Sequence, residues 1–229
     1  MIKDPPVLTI RRNFPRPTAA EVAAFAGVAT GYVVDALGGR GALDYRIKPL
    51  VPLKSIMVGV AVTCDCGPAD NLALFGALEV AKAGDVLVAA TDGFTATALV
   101  GDLFMGMARN RGIKGLATDG LARDLPGILG VGLPLFCGGV TPNSPARNGP
   151  GTVGLRVVLG GMPVESGDII IGDSDGVVVV RRSEIGTVIE RLAEVRAAEA
   201  ALEAKVKGGL EVPDFIKAVL ASDRVVEIG

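Results

Sequence analysis

The clearest periodic signal lies in the middle of the chain. "DVLVAAT" (85–91) is apolar at nearly every position, too short for a helix of its own, and preceded by a glycine. A short continuous apolar run of this kind marks a strand buried on both faces, as in parallel sheets. Before it, "NLALFGALEVAKAG" (71–84) reads as a helix closed by Gly84, and "SIMVGVAVTCDC" (55–66), rich in β-branched residues, as a strand. Downstream the pattern predicts a helix over 102–112 and a strand over 114–120. A loop with Arg123 and Asp124, a short helix and a strand over 133–139 come next. A Pro/Asn/Gly-rich loop covers 141–151. Strands then follow at 152–161 and 168–182, the second turning at the hairpin signal Asp175-Gly176.

The two ends read differently. Residues 1–17 have the look of an arm, and 18–38 predict one helical region, with Thr18 and Glu21 in capping-box spacing and Gly38-Gly39 as its stop. A long helix over 183–207 and a closing helix over 211–221 complete a single α/β domain of residues 1–229, parallel in the middle and β-rich in its second half. In the long helix Val188, Leu192, Val195, Leu202 and Val206 form a heptad stripe whose missing member is Glu199. A carboxylate on such a seam is either an interface or rim charge or part of a site there.

Strand 85–91, helix 102–112 and strand 114–120 make a β-α-β crossover, so the loops after both strands emerge at the same sheet edge. Asp102 and the Arg123-Asp124 pair therefore converge at the carboxyl edge, where open α/β sheets bind ligands. The first N–H groups of helix 102–112 face the same edge and attract an anion. Arg123 offers a forked donor to that anion, and Asp102 and Asp124 are oxygen donors suited to Mg²⁺ or Mn²⁺. Each residue also has a purely structural reading, Asp102 as a helix cap and Arg123-Asp124 as a solvated pair.

Composition narrows the class. Apolar residues make 49% of the 229 and charged ones 21%, with a net charge of −2, which describes an ordered globular protein without a basic surface for nucleic acid. The N-terminus lacks a signal-peptide apolar core and no apolar run is long enough for a membrane span, so a cytoplasmic protein is expected. Cys64, Cys66 and Cys137 fit reduced thiols in that compartment. The chain has no histidine, which removes histidine bases and histidine-bound zinc together.

The motif Asp102, twenty residues, then Arg123-Asp124 resembles the signature of the class II 4-hydroxy-4-methyl-2-oxoglutarate / 4-carboxy-4-hydroxy-2-oxoadipate aldolases of the RraA-like family. The blocks "VVDALG" (33–38), "ADNLAL" (69–74), "AGDVLV" (83–88), "GLPLFCGGVTP" (132–142) and "GDIIIGDSDGVVVV" (167–180) extend the resemblance over most of the chain. It implies an RraA-like β/β/α fold with the central crossover, a mixed sheet and C-terminal helices. It also implies a metal-dependent lyase that cleaves 4-hydroxy-2-oxo di- or tricarboxylic acids to pyruvate and a second oxo acid, with oxaloacetate decarboxylation as a side activity. Asp124 would then hold Mg²⁺ or Mn²⁺ directly and Asp102 would do so through water. Backbone N–H groups of Leu103 and Phe104 would bind the substrate carboxylate, Arg123 the 2-oxo oxygen, and Asn71 would line the pocket. Glu199 would reach a neighbouring subunit's site in a homotrimer or hexamer. Two positions depart from the aldolase pattern: Gly127 stands where many members carry an acid, and Phe75 where many carry histidine. The alternative within the family is a non-catalytic regulator that binds ribonuclease E or another protein.

Overall fold

The computed structural model describes residues 4–228. Residues 1–3 of the expected arm lie outside that range. The rest of the arm contributes a strand, β1 (Leu8–Ile10). The expected helical region over 18–38 is two helices, α1 (Ala19–Ala23) and α2 (Thr30–Ala36). They part at Gly27, whose φ of +70° lies in the left-handed region that ends a helix. The capping box is present: Thr18 Oγ1 accepts from the Glu21 N–H at 3.2 Å, and Glu21 accepts from the Thr18 N–H at 2.7 Å.

Next come β2 (Lys48–Pro49), β3 (Met57–Asp65), α3 (Leu72–Val80), β4 (Asp85–Ala90), β5 (Ala98–Val100), α4 (Asp102–Asn110), β6 (Gly115–Thr118), β7 (Leu121–Ala122), α5 (Leu125–Val131) and β8 (Leu135–Cys137). The second half holds β9 (Gly151–Val153), β10 (Val157–Leu159), β11 (Met162–Val164), β12 (Ile169–Asp173), β13 (Gly176–Val180), α6 (Ile185–Lys207) and α7 (Asp214–Leu220). The single strand expected over 152–161 is thus two, β9 and β10. Between them Gly154, at φ +77°, lies so close to the Arg11 carbonyl that a side chain there would collide with it.

The sheet is mixed. Strands β3, β4, β6 and β8 run parallel to one another, and β2 closes one edge antiparallel to β8. At the other edge β3 is shared: β12 pairs antiparallel with its first half and β9 with its last two residues. β13 and β1 extend that side in turn. The expected crossover is present as β4–α4–β6, with Val86 opposite Gly115 and Ala89 opposite Thr118.

Alternation within the buried strands divides the core. Val62 and Cys64 of β3, Leu87 and Ala89 of β4 and Leu116 of β6 face α3, α4 and α5. Val86 and Val88, Ala117 and Phe136 face the opposite way, onto the β10–β11 hairpin and β12–β13. A third cluster packs α1, α2 and the first half of α6 onto Ile169, Ile171, Val178 and Val180. The arm is fastened by Arg16, which donates two hydrogen bonds to the buried Asp85 carboxylate at 2.8 and 2.5 Å. That carboxylate raises the Arg16 pKa, chiefly through the hydrogen bonds. No helix among the described residues is long and apolar enough to cross a membrane.

Candidate active site

The device that assembles the charged residues is smaller than the central crossover. After β4 the chain turns through Asp92-Gly93 and forms β5. After β6 it turns through Asp119-Gly120 and forms β7. These two short strands pair in parallel, Ala98 opposite Leu121 and Val100 opposite Ala122. The Arg123 N–H continues the ladder by donating to the Val100 carbonyl at 2.9 Å. Asp102 and Asp124 therefore each stand two residues beyond a directly paired position. The spacing of the motif equals the offset of the two strands, which is why both carboxylates leave the ladder side by side.

Asp124 is held in an unusual conformation. Its φ is +60° and ψ +43°, left-handed for a residue that is not glycine, and its side chain does not cap α5. Aspartate is among the residues that tolerate this region, at a cost of about 1–2 kcal/mol. The carboxylate is instead turned towards Gly101, where an added Cβ would lie 2.6 Å from Asp124 Oδ2. Arg123 Nε is 3.2 Å from the same oxygen, and Arg123 Nη1 donates to Ser144 Oγ. Backbone strain combined with an uncapped carboxylate points to a role outside the helix.

Asp102 is the first residue of α4, and Gly101 occupies the capping position. Asp102 Oδ1 accepts from the Leu103 N–H at 2.7 Å. The Leu103 N–H expected to bind substrate is thus engaged by its neighbour, whereas helix geometry leaves the Phe104 N–H without a helical acceptor. The other side of Asp102 lies against Gly127 in α5: a Cβ on Gly127 would fall 2.6 and 2.7 Å from Asp102 Cβ and Cγ. The absence of an acid at 127 has a direct spatial counterpart, since Asp102 occupies that space.

Asn71, Phe75, Phe104 and Met107 join Asp102, Arg123 and Asp124 around a pocket of about 250 Å³. Asn71 is buried and its Nδ2 donates to the Leu99 carbonyl at 3.0 Å. Its Oδ1 is, among the described residues, the buried side-chain oxygen or nitrogen without a partner. The rings of Phe75 and Phe104 meet edge to face at 5.1 Å. Arg147, which no motif in the sequence signalled, lines the same pocket with its guanidinium 5.2 Å from the Phe75 ring centre.

Glu199 stands apart. It lies on the exposed outer half of α6, and that helix packs on α2 and contributes no residue to the lining of the pocket. Of the heptad stripe, Val188 and Leu192 are buried and Val195 packs at the margin, while Leu202 and Val206 are exposed. The stripe outruns its own protein after residue 195.

Among the described residues no group of three or more His, Cys, Asp or Glu side chains is placed to hold a metal ion. Asp102 and Asp124 make a two-carboxylate set. That is compatible with Mg²⁺ or Mn²⁺, since Mg²⁺ is commonly held by one or two carboxylates with water and substrate oxygens completing its shell.

The family model described as RraA-like, Aldolase/RraA, matches residues 30–179, which include the whole β5–β7 assembly and the pocket around it. The chain belongs to the RraA-like family. A family relative from Halalkalibacterium halodurans, named "Putative 4-hydroxy-4-methyl-2-oxoglutarate aldolase", is 35% identical over 179 residues, covering 78% of this chain and 85% of its own. The crystal structure of Streptomyces coelicolor RraAS2, titled an unusual member of the RNase ES inhibitor RraA family, aligns with a TM-score of 0.74 at 27% identity. It covers 83% of this chain and 99% of its own. A structure from Geobacillus kaustophilus titled S-adenosylmethionine: 2-dimethylmenaquinone methyltransferase aligns at 0.62 and 27% identity, over 67% and 95% of the two chains. The names carried by these similar proteins therefore span distinct activities, and the residues of the pocket must decide between them.

Proposed function

We propose that this protein is a divalent-metal-dependent lyase that cleaves 4-hydroxy-2-oxo acids to pyruvate and a second oxo acid. The observation that carries the reading is the β5–β7 pairing, which sets Asp102, Arg123 and Asp124 around one pocket at the start of α4. Asp124 and Asp102 would hold Mg²⁺ or Mn²⁺, which when bound supplies a Lewis acid for charge on the 2-oxo oxygen.

The chain's own groups account for the remaining chemistry. The Phe104 N–H and the positive end of α4 favour the carboxylate of the 2-oxo acid. Arg123, whose Nε and Nη1 are fixed by Asp124 and Ser144, stabilises the oxygen that gains charge as the C3–C4 bond breaks. The 4-hydroxyl proton passes to a carboxylate, Asp102 or the Glu199 of a second copy, and C4 becomes the new carbonyl carbon. The electron pair of the broken bond forms the pyruvate enolate, which is protonated at C3. Loss of carbon dioxide from oxaloacetate gives the same enolate, so that activity follows from the same groups. A homotrimer or hexamer would give the exposed outer half of α6, with Leu202 and Val206, a partner to cover it.

The rival reading is a non-catalytic regulator that binds ribonuclease E, an activity of the kind named for the Streptomyces relative. It assigns no work to the strained Asp124 or to the paired carboxylates. Oxaloacetate decarboxylation by the purified protein, measured as pyruvate, tests the choice. Arg123→Ala is expected to lower it by about a hundredfold or more, as removal of one oxyanion donor does elsewhere. Undiminished activity in that variant would overturn the lyase mechanism.

A further inference from the structure

We infer that Arg147, held over the ring of Phe75, receives the second carboxylate of the substrate and thereby gives the pocket a preference for dicarboxylic 2-oxo acids. This assignment rests on the lyase reading and adds to it a specificity-determining residue. Arg123 and Arg147 are the two basic residues that line the pocket. Arg123, positioned by Asp124 and Ser144, is committed to the 2-oxo oxygen. Among the described residues Arg147 has no carboxylate within ion-pair distance and no hydrogen-bond acceptor, so its forked set of donors remains available. A planar guanidinium with free donors matches a carboxylate through two parallel bonds.

Arg147 is exposed, but it is not unsupported. The loop that carries it is pinned on both sides. Ala146 exchanges backbone hydrogen bonds with Ala69 at 2.7 Å and Asn71 at 3.0 Å. Beyond it, the Asn148 and Gly149 N–H groups donate to Asp70 Oδ2 at 2.6 and 3.1 Å. Nearer the catalytic end, Asn143 Nδ2 donates to the Ala96 carbonyl at 2.8 Å. The side chain is further steadied by its position 5.2 Å from the Phe75 ring centre, within cation–π range. Phe75 in turn packs edge to face on Phe104, whose N–H serves the 2-oxo acid end. One aromatic pair therefore links the two anion-binding ends. An apolar tail at the far end would leave a guanidinium facing methyl groups, whereas a carboxylate would pair with it.

The test uses two five-carbon acids that share the 2-oxo acid end, 2-oxoglutarate and 2-oxopentanoate, titrated calorimetrically into the whole protein with Mg²⁺ present. The wild type is expected to bind the dicarboxylate about ten- to a hundredfold more tightly, the range of a hydrogen bond to a charged group. Arg147→Met is expected to bring that ratio to within about threefold of one, and Arg147→Lys to restore part of it, because lysine keeps the charge and loses the fork. Phe75→Leu, which keeps the charge and removes its platform, is expected to give an intermediate ratio. Equal binding of the two acids by the wild type, or a preference that survives Arg147→Met, would overturn the assignment alone. Binding of neither acid would overturn both the assignment and the lyase reading.

Discussion

Adding a single methyl group at position 127 probes how Asp102 is held. Gly127 lies inside α5, so helix propensity alone favours alanine there by about 0.8–1 kcal/mol. The new Cβ would sit 2.6 Å from Asp102 Cβ and 2.7 Å from Cγ. Non-bonded carbons are most favourably separated by about 3.5–4.0 Å, so α4 or α5 must yield by about 1 Å. Overpacking of that kind costs about 1–3 kcal/mol, which exceeds the propensity gain across most of its range. Gly127→Ala is therefore expected to destabilise the protein by about 0–2 kcal/mol in urea unfolding. In an Asp102→Gly background the obstruction is gone, and the same substitution is expected to stabilise. Displacing a catalytic group by 1 Å costs about a hundredfold in rate, so decarboxylation by Gly127→Ala is expected to fall far more than stability does. A Gly127→Ala variant with an identical effect on stability in both backgrounds would refute the steric coupling.

Further expectations follow from the same geometry. Asp124→Gly removes a left-handed aspartate and is expected to stabilise the fold by about 1 kcal/mol while abolishing lyase activity, a divergence read by unfolding and pyruvate assays on one sample. Arg16→Ala leaves the buried Asp85 without its ion-pair partner and is expected to cost about 3 kcal/mol in urea unfolding. Asp44 is held down at about 2 by its hydrogen bonds from Arg46. A depressed carboxylate contributes stability above its unfolded pKa and loses it as pH falls towards 2, so the Asp44 carboxyl resonance should titrate near 2 in the wild type and higher in Arg46→Ala, yet still below 3.8 because the backbone N–H of residue 46 is kept.

Much of this arrangement was legible in the chain, for identifiable reasons. Strand β4 announced itself because burial on both faces demands an unbroken apolar run, and the crossover followed from its neighbours. Asp102 and Arg123-Asp124 line one pocket, as the crossover implies, but β5 and β7, which bring this about, have only three and two residues and no periodicity to detect. The break at Gly27 was hidden by apolar residues on both sides of it. Arg147 gave no signal, because its place in the pocket depends on Asp70 and Ala69 binding a loop more than seventy residues away. The engagement of the Leu103 N–H by Asp102 is a side-chain choice that a spacing argument does not reach.

The central claim is that Asp102, Arg123 and Asp124 form a metal-dependent carbon–carbon lyase site. Pyruvate release from a set of 4-hydroxy-2-oxo acids that includes 4-hydroxy-4-methyl-2-oxoglutarate, followed before and after chelation and after Mg²⁺ or Mn²⁺ is returned, tests it most directly. Release that stops with the chelator and resumes with either ion is the expected result. No release from any of these acids, or release that chelation leaves undiminished, would contradict it.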